Sequence, residues 1–92
     1  MLRVALVVLA LTASAVEAAP ESFRVSGIEP GSVLHVRERP EAEAEAVARI
    51  PWNARGVRGF GCTTDTPSGH TWCRVKFDGA VGWARRRYLR PE

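Results

Sequence analysis

After residue 20, apolar and polar residues alternate over short distances, and this alternation is typical of half-buried β-strands. In the clearest run, 71–77, Cys73, Val75 and Phe77 share one face and the residues between them share the other. Turn-forming Gly, Pro, Asp and Ser residues separate the runs. We therefore predict strands at 23–25, 33–37, 46–50, 56–63, 71–77 and 80–84.

The segments between these strands predict antiparallel pairing. Asp78-Gly79 is a strong signal for a two-residue hairpin, and 64–69 consists of turn formers that predict a longer hairpin loop. Gly59 and Gly61 interrupt one strand, which indicates a bend or a bulge. Because no crossover helix is predicted, the chain reads as all-β, a small antiparallel barrel of five to six short strands.

The segment 41–48 is the one ambiguous stretch, because its Glu and Ala residues favour a helix. Pro40 and Pro51 confine it to about ten residues, fewer than an isolated helix needs. It also has no apolar stripe to bury. We predict a solvated acidic loop that leads into the strand at 46–50, and we leave open whether it contains one helical turn.

The first twenty residues follow a different pattern. A short positive start at Arg3 precedes an apolar stretch over 4–16, and small or aliphatic residues flank a cut between Ala18 and Ala19. This is the layout of a secretory signal peptide at 1–18. The stretch is shorter than the ~20 residues that span a bilayer, so no transmembrane anchor is expected. The mature product, 19–92, is predicted to be exported, either periplasmic or secreted.

Composition limits the mature chain to one small domain. The 92 residues are 46% hydrophobic, with 13 Lys+Arg against 10 Asp+Glu for a net charge of +3. Removing 18 residues leaves 74 and the same net charge, because one Arg and one Glu are lost together. This length excludes a large multidomain enzyme. So small a core supplies only a few kcal/mol of net stability, and a cross-link is expected.

Cys62 and Cys73 are predicted to form that cross-link. An exported chain with two cysteines favours a disulfide, and the predicted hairpin places both residues on neighbouring strands. Closing about a dozen residues is worth ~3 kcal/mol in the chain-entropy model. A zinc site would need two more ligands, and His35 and His70 have no recognised spacing. Reactive thiols are the remaining alternative. We expect no metal and no cofactor.

Three segments together resemble bacterial SH3 (SH3b) domains. The sequence LHVRERP at 34–40 is similar to their leucine-x-valine-arginine opening, and 57–62 is similar to their middle strand. The closing hairpin at 72–83 ends on a Gly-Trp pair and is followed by Tyr88-Leu89, again as in that family. The resemblance covers roughly 23–90 and implies an SH3-like barrel. Two departures are the acidic repeat after Pro40 and a glycine, Gly59, where the family has an aliphatic core residue.

The resemblance implies a non-catalytic module that recognises cell-wall peptidoglycan, its peptides or a protein partner. No nucleophile, base and orienting group stand at a suggestive spacing, so we do not expect an enzyme. The mature chain has more large aromatic side chains than so small a core needs, and this surplus predicts that some of them line a ligand groove. The alternative is that Trp83 and Tyr88 only close the barrel. The candidate groove residues are Trp83, Tyr88, Trp72, Arg37 and Trp52.

Charge gives a second candidate surface. A basic cluster after the last predicted strand contains Arg85, Arg86, Arg87 and Arg90, and the acidic residues at 41–45 form an opposite patch. The cluster is either a solvated turn or an attraction site for anionic wall peptides, lipid head groups or an acidic partner. A bipolar surface favours an envelope protein as the alternative partner to peptidoglycan. Nucleic acid is not expected, because the chain is exported.

Overall fold

The structure is a computed structural model that describes residues 21–92; the predicted signal peptide, 1–18, and its cleavage at Ala18/Ala19 lie outside these residues. The described chain forms seven strands and one 3-10 helix, Arg86–Tyr88. The strands are β1 (Glu21–Val25), β2 (Val33–Arg37), β3 (Ala46–Pro51), β4 (Val57–Thr63), β5 (Trp72–Phe77), β6 (Ala80–Arg85) and β7 (Leu89–Pro91). The all-β prediction is confirmed.

All seven strands belong to one antiparallel sheet in the order β3-β2-β6-β5-β4-β1-β7. The strands β3 and β7 are its edges and do not pair with each other, so the prediction of a closed barrel is wrong at the level of hydrogen bonding. The prediction of five to six strands is also wrong, because β7 adds a strand beside β1. With three residues and one apolar side chain, β7 is too short for alternation to reveal it.

The sheet is curved around a single core. Its buried cluster receives side chains from every strand, including both edges, and this requires the two ends of the sheet to turn toward the same interior. Its members are Phe23, Val25, Leu34, Val36, Ile50, Val57, Cys73, Val75, Ala84 and Leu89.

Gly59 is buried because a neighbouring ring occupies the space that its side chain would need. A Cβ built on Gly59 would overlap Cε2 of Phe23 and lie 3.0 Å from its Cδ2. Phe23 itself is 1% exposed. The space that the expected aliphatic side chain would occupy is therefore filled by the ring of Phe23, which belongs to the neighbouring strand β1.

The predicted turns, bulge and cross-link are confirmed. Asp78 and Gly79 both have positive φ, 52° and 87°, as a type I′ hairpin turn requires. The β4–β5 register shifts between Gly59 and Cys62, which marks the bulge. Cys62 and Cys73 lie directly opposite each other and form a disulfide with an S–S distance of 2.00 Å.

The acidic segment is a loop, as predicted, and it folds back along β2. The Glu38 N–H donates to the Glu45 carbonyl at 2.9 Å. The Arg37 guanidinium donates to the Ala44 carbonyl at 3.2 Å, and Ala44 is buried. These contacts fix the loop beside the outward-facing residues of β2.

The β2–β3 hairpin is joined to the other five strands through a short pairing of β2 with β6, which we call the seam. The β2–β6 register contains one residue pair, Arg37 with Trp83. Gly82 permits this close approach, because a Cβ there would lie 2.6 Å from Cγ1 of Val36 and 2.7 Å from the Arg37 carbonyl oxygen. The candidate site lies beside this seam.

Candidate functional site

A groove of about 230 Å³ lies where the β2–β3 hairpin meets the start of β5 and the end of β6. It brings together three of the five predicted groove residues, Arg37, Trp72 and Tyr88, with Arg85 from the predicted basic cluster. The complete lining is Ile28, Val33, Leu34, His35, Arg37, Ala42, Trp72, Arg85 and Tyr88. The lining of the groove therefore combines apolar side chains with cations.

Trp72 is covered although it alternates with buried Cys73 along β5. The two residues are 3% and 0% exposed, so both faces of the strand are covered at this end. The indole Nε1–H of Trp72 has no hydrogen-bond partner among residues 21–92. A buried donor without an acceptor costs about 1–3 kcal/mol, so such groups call for an explanation. The donor sits on a side chain that lines the groove.

The polar part of the groove lining is positive. Arg37 and His35 occupy outward positions of β2, and Arg85 lies directly opposite Trp72 in the β5–β6 register. The lining contains no carboxylate, and no ion pair within 21–92 includes Arg37 or Arg85. Burial, followed by the charges of Arg37 and Arg49, lowers the pKa of His35 below its usual value of 6.5.

The acidic loop borders the groove without placing a carboxylate in its lining. Ala42 is the loop residue that lines the groove. Glu41 pairs with Arg39 at 2.9 Å, and Glu38 lies 3.9 Å from the same guanidinium. The loop therefore contributes one apolar side chain to the groove lining, and the carboxylates of Glu41 and Glu38 are partly neutralised by Arg39.

The structure divides the predicted basic cluster. Its members do not follow the last strand, because Arg85 ends β6 and Arg86 and Arg87 lie in the 3-10 helix between β6 and β7. Arg86 stacks over the Phe23 ring at 5.3 Å and donates to the Leu89 carbonyl. Arg87 stacks over the Tyr88 ring at 5.1 Å. These two arginines thus have packing roles beside any role in binding.

The last member of the cluster, Arg90, lies apart on β7. It is directly opposite Arg24 of β1, and its Nε–H donates to the Ser26 hydroxyl at 3.4 Å. It does not line the groove.

The two other predicted groove residues also lie elsewhere. Trp83 is half-buried on β6, between Arg74 on one side and Arg37 on the other, and does not line the groove. Trp52 is 37% exposed and lines a separate cavity of about 450 Å³ with Arg24 and Arg55. The predicted set of five thus separates into three residues that meet and two that do not.

Sequence reasoning weighed His35 as a zinc ligand and missed it as a groove residue. The signal that places it there is its spacing from Arg37, because residues two apart on a strand share a face. Within 21–92, no group of three or more His, Cys, Asp or Glu residues is placed to hold a metal ion. In the same part of the chain, no helix is long and apolar enough to cross a membrane.

Comparison with known proteins finds no match to this chain among family models, curated proteins or solved structures.

Proposed function

We propose that this protein is a non-catalytic, exported binding module of the bacterial envelope that recognises the peptides of cell-wall peptidoglycan. The observation that carries the proposal is the groove, in which Trp72 and Tyr88 adjoin Arg37 and Arg85. Its volume of about 230 Å³ is below the ~300–1,000 Å³ of small-molecule pockets. A groove of this size suits one or two residues of a peptide. The similarity of 23–90 to SH3b domains supports the same reading.

The state of the aromatic rings favours a peptide over a sugar. Stacking on sugars needs an open aromatic face, whereas Trp72 is almost completely buried and Arg87 covers one face of Tyr88. The apolar part of the lining, which includes Val33 and Leu34, suits a peptide side chain. We therefore place recognition on the peptide part of the wall polymer.

Export is part of the proposal and rests on two features. The first is the signal-peptide pattern of 1–18, and the second is the Cys62–Cys73 disulfide, which persists in oxidising compartments. A binding role without catalysis is supported by the groove lining, where His35 has no serine, cysteine or carboxylate beside it to act as a nucleophile or to orient the ring.

The test is co-sedimentation of the oxidised mature domain with purified peptidoglycan sacculi. Tyr88→Ala should weaken binding, because Tyr88 lines the groove, whereas Trp52→Ala should not, because Trp52 lines a different cavity. Both variants are first compared with the parent by thermal unfolding, so that only folded proteins are assayed. A parent protein that stays in the supernatant would overturn the proposal.

A periplasmic protein–protein adaptor is the second candidate, and the distribution of charge favours it. Glu43 and Glu45 are exposed on the acidic loop, and Arg24 and Arg90 face each other across the β1–β7 pair. These opposite patches suit a partner of complementary charge. Salt-sensitive capture of one defined envelope protein, together with no binding to sacculi, would select this candidate.

A further inference from the structure

The geometry points to a free carboxylate as the group that the groove recognises, in a short peptide with a small apolar residue beside that carboxylate. This inference rests on the proposed function, since it names the chemical feature of the peptide that the groove selects. It draws on three observations: the cations of the lining, the unpartnered indole donor and the apolar wall.

The cations of the groove lack a neutralising partner. Arg37 and Arg85 both line the groove, and neither is in an ion pair within 21–92. The bond from Arg37 to the Ala44 carbonyl uses Nη1, which orients the guanidinium and leaves its other nitrogens free to donate. The side chain of Arg85 makes no hydrogen bond among the described residues. Guanidinium groups pair with carboxylates through two parallel hydrogen bonds.

The indole of Trp72 adds a neutral donor beside these cations. Arg85 is the direct cross-strand neighbour of Trp72, so a carboxylate held by Arg85 lies next to the ring that carries the unpartnered N–H. Because Nε1 is out of solvent contact, a hydrogen bond from it to the carboxylate requires neighbouring side chains to move. The ligand would then supply the acceptor that residues 21–92 do not provide.

The apolar part of the lining limits what the carboxylate is attached to. Ile28, Val33 and Leu34 line the same groove as the cations and give it apolar surface. A bare inorganic anion would leave this surface in water, whereas a carboxylate on a small apolar residue covers it. A groove of about 230 Å³ accommodates a small residue together with its carboxylate.

The test compares two peptides that differ only in the recognised group: N-acetyl-trialanine with a free carboxyl terminus and the same peptide as its carboxamide. Titration calorimetry on the oxidised mature domain should show that the acid binds about tenfold more tightly or better, as expected for charged hydrogen bonds. Arg85→Gln should remove most of this preference. Arg90→Gln is the matched control, because Arg90 does not line the groove, and it should retain the preference.

A second readout follows the His35 ring by NMR. The acid peptide should raise the pKa of His35, because a bound carboxylate offsets the charges that lower it, and the amide should not.

Different outcomes overturn this inference and the proposed function. Equal affinity for acid and amide, or no binding of the acid by a protein that sediments with sacculi, overturns the carboxylate assignment and leaves the proposed function intact. Failure to sediment with sacculi overturns the proposed function itself.

Discussion

At the scale of single residues, Gly59 shows that packing in the core determines which residue a position accepts. From sequence alone, an aliphatic residue would be expected to fit there. The position faces the interior, where an aliphatic side chain would ordinarily add buried apolar area. Here the ring of Phe23 already fills that space. The absence of a side chain at 59 and the presence of a ring at 23 are therefore one packing solution.

Gly59→Ala should destabilise the fold by about 1–3 kcal/mol, the usual range for an overpacked core. The reason is the overlap of the new methyl group with the Phe23 ring. Urea unfolding of the oxidised domain measures the change. In the background of Phe23→Leu, which removes the ring, the same alanine should cost clearly less. Equal costs in both backgrounds would show that the strain lies elsewhere.

His35 should make the free energy of unfolding depend on pH. Its pKa is lowered in the folded state by burial and by Arg37 and Arg49, so the unfolded chain binds more protons below pH 6.5. The stability attributable to this group is therefore complete above pH 6.5 and falls as the pH drops through the folded pKa. Urea unfolding at pH 7.5 and pH 5 should show the loss, and His35→Gln should reduce it. An unchanged pH dependence in that variant would exclude His35 as the source.

At the scale of elements, the local patterns predicted most of the strands. Six alternating runs correspond to β1 through β6, and the I′ hairpin at Asp78-Gly79 follows from the preference of those two residues for positive φ. What sequence could not reveal is long-range. The pairing of β7 with β1 is set by Leu89 entering the common core, and closure depends on how far the sheet curves. Neither the pairing of β7 nor the closure of the sheet produces a periodic pattern in a strand of three residues.

The β4–β5 pair carries the disulfide, and its reduction should lower the free energy of unfolding by about 2–4 kcal/mol. The bridge closes a loop of 11 residues in sequence separation, so the reduced unfolded chain gains conformational freedom. Urea unfolding with and without dithiothreitol measures the difference. The double variant Cys62→Ala/Cys73→Ala is the control, because a reductant should not change its stability. Free thiols in the exported protein, detected by mass spectrometry, would contradict the cross-link.

At the scale of the whole molecule, the groove exists because two parts of the sheet meet. Val33 to Arg37 come from the β2–β3 hairpin, and Trp72 and Arg85 come from the five-stranded part. Sequence reasoning named Arg37, Trp72 and Tyr88 as groove residues, but it named Trp83 and Trp52 beside them. It could not separate them from Trp83 and Trp52, because strand alternation does not show which outward residues the acidic loop and the seam bring together.

The division of the sheet into two parts predicts that the β2–β3 hairpin opens more readily than the rest of the sheet and that a bound ligand holds it closed. The hairpin contributes only three of the ten buried core residues, and its strand pairing with β6 contains only one residue pair. Native-state hydrogen exchange should therefore give lower opening free energies for β2–β3 amides than for β5 amides.

A peptide in the groove contacts both parts, so at a hundred times its dissociation constant it should raise β2–β3 protection by up to about 2.7 kcal/mol. In Tyr88→Ala this gain should shrink. If β2 and β5 amides exchange with equal free energies, the sheet opens as one unit and the groove is not a junction between independently opening parts.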